Sequence, residues 1–304
     1  MRAIIIKEYG CPDVMHLGEQ PRPSPDENEI LLRIHAVGVN PADAKWRAGM
    51  FAQALPRHFP YIPGYDVAGV IEAGTSKASG LMPGQRVMAM LDPLKAGAYA
   101  EFAVVPATQI TPMPAGLDFT IAAALPTPGL TGVQLIEDEL NVQRGAVVLI
   151  TGAMGAVGRF ALHAAKARGA YVVAAVRPQQ LIDALYLGAD ETIILGDGEG
   201  EQRPFDAVAD TVGGLAVASL CKHIKPHGLI RSVSTTPIPS NDLPVEPAFF
   251  AVRQDPVRLS QLAIDVAAGR IPVPIARRLP LEQAVVAHRL IEAGGTGGKI
   301  ILTL

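Results

Sequence analysis

The chain has 304 residues, 49% of them hydrophobic and 18% charged, with 30 Gly and 26 Pro spread along its length. That composition excludes a disordered chain, fits a loop-rich globular α/β protein, and at this length predicts two domains. The formal net charge of -3, with no run of Lys or Arg, leaves no electrostatic footprint for nucleic acid or an anionic membrane surface and points to a small-molecule partner.

In chain order, "MRAIIIKEYGCPDV" has only three isoleucines before Lys7 and Glu8. This is too short an apolar run for a signal peptide or a membrane span, so a cytoplasmic address is expected. Cys11 and Cys221 have no second Cys or His at chelating spacing; they read as free thiols of a reducing compartment, a single bridge between them being the alternative. Up to about Gly116, the runs "AIII", "EILLRIHAVGV", "DVAGVIEAG", "QRVMAML" and "YAEFAVV" alternate with stretches rich in Pro, Gly, Ser and Asp. They predict short strands in a mostly antiparallel, barrel-like domain.

After "TPMPAGLDF" the texture changes to the helical "TIAAALPTPGLTGVQLIEDEL". From Val147 strands and helices alternate: the apolar strand "AVVLI", a helix with Arg159, His163 and Lys166 on one polar face, the strand "YVVAAV", then "PQQLIDALYLG", "ETIIL", "FDAVAD", "GLAVASLCKHI" and "GLIRSV". Such a series builds a doubly wound parallel sheet covered on both faces. The tail from about Pro256 predicts two amphipathic helices and a last strand, "KIILTL", that rejoins the first domain.

The turn "TGAMGAVG", Thr151 to Gly158, sits between a buried strand and a helix, where backbone N–H groups and the helix dipole favour a pyrophosphate. Against the G-x-G-x-x-G template Ala153 stands in the first glycine place, Gly155 where the chain meets phosphate and Gly158 where helix packs on strand. By itself the turn also fits a tight bend that binds nothing. The next strand, "YVVAAVRP", ends in Arg177 and not in a carboxylate, which favours the 2'-phosphate of NADP(H) over the ribose hydroxyls of NAD(H); an ordinary exposed arginine at a strand end is the alternative.

The stretches "AVGVNPADAKWRAG", "PYIPGYDVAGVIEAG", "GAYAEF", "AALPTPGLTG", "GAMGAVG", "LGAD", "FDAVADTVGG" and "GGKIIL" follow one another as in the medium-chain dehydrogenase/reductase superfamily, and the chain resembles its zinc-free quinone oxidoreductase-like branch. The resemblance implies a GroES-like catalytic domain at residues 1–118 and a Rossmann domain at 119–256. A return to the catalytic domain at 257–304, a cleft holding NADP(H), and a homodimer through the sheet edge near "VEPAFFAV" are implied with them. Zinc-containing relatives have Cys where this chain has Asn40, His where it has Tyr65 and a further Cys near Thr127; these three side chains make no zinc site. His58 nearby reads as an exposed loop residue.

Implied cofactor contacts are Asn40, Thr127, the backbone of Gly152, Met154, Gly155, Ala156 and Val157, then Arg177, Val212, Gly213, Ser232, Phe250 and Lys299. Catalytic candidates are Asn40, as an amide donor, and Tyr65, as a hydroxyl that polarises a carbonyl or gives a proton. Each also has an ordinary structural reading: an Asn-Pro turn for Asn40, a helix start for Thr127, a half-buried strand tyrosine for Tyr65, core packing for the Phe249–Phe250 pair and a solvated strand start for Lys299. Lys45 and Leu195 stand where the family often has Tyr, which leaves substrate specificity open. Without a Lewis acid, an alcohol is a poor substrate, whereas a quinone or an α,β-unsaturated carbonyl accepts hydride with its charge delocalised to oxygen. NADPH-dependent reduction of such a compound is therefore expected; an NADP(H)-binding protein with a regulatory or structural role is the alternative.

Overall fold

The computed structural model describes residues 1–74, 80–197 and 203–304. They form two compact units, Met1–Thr127 with Gln254–Leu304, and Pro128–Arg253.

The first unit begins with β1 (Arg2–Ile6) paired antiparallel to β2 (Met15–Glu19). Then come β3 (Glu29–Val39), α1 (Pro41–Arg47), β4 (Asp66–Ala73), β5 (Arg86–Met90), β6 (Phe102–Pro106), β7 (Thr111–Pro112), α2 (Phe119–Ala123) and the start of α3 (Pro126–Gln134). The eleven-residue β3 is the hub, buried along nearly its whole length and pairing antiparallel with β4 and β6. α1, which the sequence reading left as a turn, forms because Asn40 takes the N-cap with Pro41 at the first helical position. α2 belongs to this unit, so the division falls at Thr127 and not at residue 118. A Cβ on Gly38 of β3 would lie 2.2 Å from the Ala123 carbonyl oxygen, so only glycine admits α2 this close to the sheet.

The second unit is a six-stranded parallel sheet. It contains β8 (Val147–Thr151), α4 (Ala156–Ala167), β9 (Tyr171–Val176), α5 (Leu181–Tyr186), β10 (Glu191–Ile194), β11 (Phe205–Asp210), α6 (Leu215–Cys221), β12 (Ile224–Ser232) and β13 (Ala248–Phe249). The strand order is β10-β9-β8-β11-β12-β13, with β8 central and the order reversing beside it, the doubly wound Rossmann pattern. β8, β9 and β11 are nearly continuous buried runs, as a sheet covered on both faces requires. Leu149, Val173, Phe205, Val208, Leu220 and Ile230 form its core.

The tail returns to the first unit with α7 (Pro256–Ala267), β14 (Ile275–Pro280), α8 (Ala284–Ala293) and β15 (Lys299–Thr303). β15 pairs antiparallel with β3, Ile300 opposite Val39, and parallel with β14. The first sheet thus runs β14-β15-β3-β4-β5-β7, with β6 also on β3, a mostly antiparallel GroES-like arrangement. β14 escaped the sequence reading because "IARRLP" is a largely exposed edge strand with neither apolar alternation nor a strand-like composition. The cysteines are free, Cys11 exposed and Cys221 buried.

Candidate functional site

The functional side chains fall into two groups, one in each unit. In the second unit, β8 ends at Thr151 and the glycine turn leads into α4, whose N-cap is Gly155. A Cβ on Gly158 would lie 2.3 Å from the Gly152 carbonyl oxygen and 2.6 Å from the Ala153 Cα, so glycine is what lets the first turn of α4 rest on the loop. Gly155 and Ala156 are exposed at that helix end. The turn also uses some of its own donors: the Gly152 N–H donates to Ala175 O (2.9 Å) and the Gly155 N–H to Gly152 O (2.8 Å). Of the five backbone groups singled out from sequence, the Gly152 and Gly155 N–H are therefore engaged within the protein. Ala156 and Val157, in the first turn of a twelve-residue helix, have no intrahelical acceptor and suit an anion.

Asp210, at the C-terminal end of β11, ties three loops beside this turn. One carboxylate oxygen accepts from the Val212 and Gly213 N–H groups (2.9 Å each) and the Thr151 hydroxyl, and the other accepts from the Ser232 hydroxyl. Val212, Gly213 and Ser232 are thus gathered at the carboxyl ends of the strands, where open parallel sheets take ligands, but their donors already serve Asp210. The Val212 carbonyl is also taken, by the Ser234 hydroxyl (2.7 Å), which leaves Val212 its apolar side chain. Phe250 is buried, its N–H donating to Ser232 O at 2.8 Å. Arg177 lies exposed just past β9, and its guanidinium has no partner among the described residues. The turn and the open helix end suit the pyrophosphate of a dinucleotide.

The polar cluster of the first unit is built around Asn40. Its amide nitrogen donates to Asp66 Oδ2 (2.9 Å) and its amide oxygen accepts from Lys299 Nζ (2.6 Å). Lys299 also donates to Val39 O (3.0 Å), and Asp66 Oδ1 accepts from both the N–H (3.0 Å) and the hydroxyl (2.6 Å) of Thr127. Asn40, Thr127 and Lys299 are therefore one network, with Asp66 at its centre and at most one amide hydrogen of Asn40 left for a ligand. Lys299 is 5% exposed, buried and not a solvated strand start. Burial pushes the Lys299 ammonium down and the Asp66 carboxyl up, each opposed by the other's charge.

One helical turn further on, Asp43 Oδ2 accepts from the Asn40 N–H (2.8 Å) and the Tyr99 hydroxyl (3.3 Å), and that hydroxyl lies 3.0 Å from His288 Nε2. With Lys299 engaged near Asp66, a second buried carboxylate lacks its own cation, and burial pushes Asp43 up to about 7. His288, fully buried and with Arg47 nearby, is held neutral, its basicity pulled down to about 3. Tyr65 is buried, which keeps its phenol well above its ordinary range, so it stays a neutral hydroxyl. His58 is exposed.

The sequence reading passed over Asp43, Asp66, Tyr99, His288 and Asp210 as site residues. Asp66 and Asp210 carried a usable signal, each an acid at the end of an apolar strand; Tyr99 and His288 meet across 189 positions and carried none. Among the described residues no group of three His, Cys, Asp or Glu side chains is arranged to hold a metal, and no helix is long and apolar enough to cross a membrane.

Comparison with known proteins places this geometry in context. Residues 26–115 match the model of the alcohol dehydrogenase GroES-like domain, and residues 187–302 that of the zinc-binding dehydrogenase domain. A chloroplast envelope quinone oxidoreductase homolog of Arabidopsis thaliana is 30% identical, over 99% of this chain and 98% of its own length. The structure of the quinone oxidoreductase from Coxiella burnetii aligns with a TM-score of 0.88 at 28% identity, covering 100% of this chain and 99% of that one. A structure described as an NAD-dependent alcohol dehydrogenase gives 0.87 at 28%, and a mycobacterial structure complexed with NADPH gives 0.84 at 25%, each covering 100% of both chains. The chain belongs to the medium-chain dehydrogenase/reductase superfamily, among its quinone oxidoreductase-like oxidoreductases.

Proposed function

We propose that this protein is a cytoplasmic, NADPH-dependent reductase that delivers hydride to a quinone or an α,β-unsaturated carbonyl without zinc. The observation that carries the reading is the Asn40, Tyr65 and Thr127 set. An amide, a phenol and a hydroxyl stand where zinc-containing relatives have thiolate and imidazole, and two of the three are bound to Asp66. Without a Lewis acid, the acceptor must delocalise the charge that hydride brings, which a quinone or enone does.

Bound NADPH would supply the hydride. Ala156 and Val157 at the start of α4 would hold its pyrophosphate and Arg177 its 2'-phosphate, while the half-buried Val212 offers an apolar side chain to it. Asn40, held at both ends of its amide by Asp66 and Lys299, has a fixed orientation and one N–H to offer to a ligand oxygen. Tyr65 remains a candidate hydroxyl donor to that oxygen. The edge strand β13, with Phe249 61% exposed, supports a homodimer formed by sheet extension; light scattering would read its mass.

The test is a steady-state panel of quinones and enones with NADPH and with NADH. Turnover with NADPH, exceeding that with NADH, is expected. No turnover with either cofactor refutes the reading, and turnover only of alcohols with NAD(H) replaces it with the dehydrogenase reading.

A further inference from the structure

A small cavity of about 10 Å³, room for the centre of a single water, lies beside α1 between Asp43, Trp46, Arg57, Tyr61 and Tyr65. Three buried polar atoms on these residues have no hydrogen-bond partner among the described residues: Asp43 Oδ1, Arg57 Nε and the Tyr61 hydroxyl. Buried polar groups are paired, with protein or with ordered water, in the great majority of cases, so three orphans around one cavity call for an occupant. Their chemistry is complementary to water: a carboxyl oxygen, an N–H donor, and a hydroxyl that does either. Arg57 has little freedom to turn away. Its terminal nitrogens donate to the carbonyls of Pro93 and Leu94, and its guanidinium lies 4.1 Å from the centroid of the Trp46 ring.

On its other side Asp43 is anchored through Oδ2 to the Asn40 N–H and the Tyr99 hydroxyl, so the carboxyl stands between the cavity and the Tyr99–His288 pair. We propose that the cavity holds one ordered water and that Asp43 is the proton store of the reduction, releasing its proton through that water. This rests on the reductase reading above. The electron balance is that of any hydride reduction. Hydride and its electron pair come from the reduced dinucleotide to the acceptor, forming its new bond to hydrogen and leaving an oxyanion. The water gives a proton to that oxyanion and takes the proton of Asp43, whose O–H bond breaks as the product O–H forms. Solvent returns the proton to the Asp43 carboxylate before the next turnover.

The groups facing Asp43 support a carboxyl that holds its proton near neutrality. Burial disfavours its charge most and Asp66 on β4 adds to that, against the Asn40 N–H, the Lys299 ammonium on β15 and the Tyr99 hydroxyl, which favour the carboxylate; Tyr61 and Tyr65 face it as neutral phenols and His288 on α8 is itself neutral. Arg57 is the cation at the cavity and Arg47 the one near His288. Asp43 acts through the water and is therefore a positioning residue.

The experiment has a resting and a turnover arm. In the resting protein, a high-resolution crystal structure should show one water bonded to Asp43 Oδ1, Arg57 Nε and the Tyr61 hydroxyl. Infrared difference titration should show one carboxylic acid band that disappears as pH rises through about 7, absent in Asp43→Asn and shifted in Tyr61→Phe. An empty cavity, or a band unchanged in Asp43→Asn, overturns the proposal. In turnover, wild-type kcat should fall over the same pH range, whereas Asp43→Asn should be about tenfold or more slower with that inflection gone and KM for NADPH within about twofold. Retention of rate and inflection in Asp43→Asn overturns the proton role. Failure of the wild type to reduce any acceptor overturns the reductase reading instead, and the resting arm still decides whether water and proton reside at this site.

Discussion

Replacing Lys299 with Met tests whether the Asn40 network is held together by one buried charge. Met fills much of the same space but removes the ammonium, and with it the bonds to Asn40 Oδ1 (2.6 Å) and Val39 O (3.0 Å). Asp66, fully buried, then loses the positive charge that opposes its desolvation. Breaking a buried, hydrogen-bonded charge pair by deleting one partner costs about 3–5 kcal/mol, because the remaining charge stays in low dielectric. At about 2–4 °C per kcal/mol for a body of this size, the first unit should melt about 6–20 °C lower. The chain has a single tryptophan, Trp46, in the first unit, so its fluorescence follows that unit's transition. The double variant Lys299→Met/Asp66→Asn should recover about half of the loss or more, since a neutral amide in place of the carboxylate keeps an acceptor toward Thr127, and Asn40 is released to turn its own amide. A loss below about 1 kcal/mol in the single variant, or a double variant no better than the single, would refute the argument.

Three further outcomes are expected. Arg177→Ala should raise the NADPH dissociation constant about tenfold to hundredfold, the worth of a charge-assisted hydrogen bond, and leave that of NADH within about twofold in calorimetry; equal changes would show that Arg177 does not read the phosphate. Gly158→Ala places a methyl 2.3 Å from the Gly152 oxygen, so the second unit should lose about 1–3 kcal/mol in urea titration and bind NADPH more weakly. Unchanged stability would mean the loop yields freely. The pH dependence of the first unit combines two opposed groups. His288, held down to about 3, takes a proton more readily when unfolded, so its contribution is present above about 6.5 and is lost as pH falls toward 3. Asp43, pushed up to about 7, keeps its proton better when folded, so its contribution is present below about 3.8 and is lost as pH rises through 7. Asp43→Asn removes only the second, so the variant's Trp46 melting temperature should rise more steeply than wild type between about pH 4 and 7; superimposable curves would contradict the assignment.

The second unit was legible in the sequence because a parallel sheet covered on both faces writes its strands as unbroken apolar runs: β8, β9 and β11 all lie where those runs predict. The first unit was legible in its hub strands but not in α1 or β14. The Asn-Pro pair that reads as a turn is also a helix start, and β14 gains its place from β15 and not from its own composition. The glycine turn was visible as a turn; which of its N–H groups stay open was not, because Gly152 and Gly155 engage theirs through loop geometry. The same limit applies to Asn40 and Lys299. Each stood out by its motif, but their mutual bond across 259 positions, and the two buried acids that define it, follow from sheet pairing of β15 on β3.

The clasp made by Gln134 has a consequence for the order of folding. This buried side chain donates to the Arg253 carbonyl (2.7 Å) and accepts from its N–H (2.9 Å), so the chain enters and leaves the second unit at neighbouring points. The second unit is continuous in sequence and is able to form from local pairings, whereas the first unit must join Val39 to Ile300. Once the clasp is shut, the long intervening excursion counts as a short link, and the entropy of closing the β3–β15 loop falls accordingly. Insertions within the second unit that leave Gln134 and Arg253 in register should therefore barely slow assembly of the first. Loss of the Gln134 side chain should slow it even though β3 and β15 are untouched.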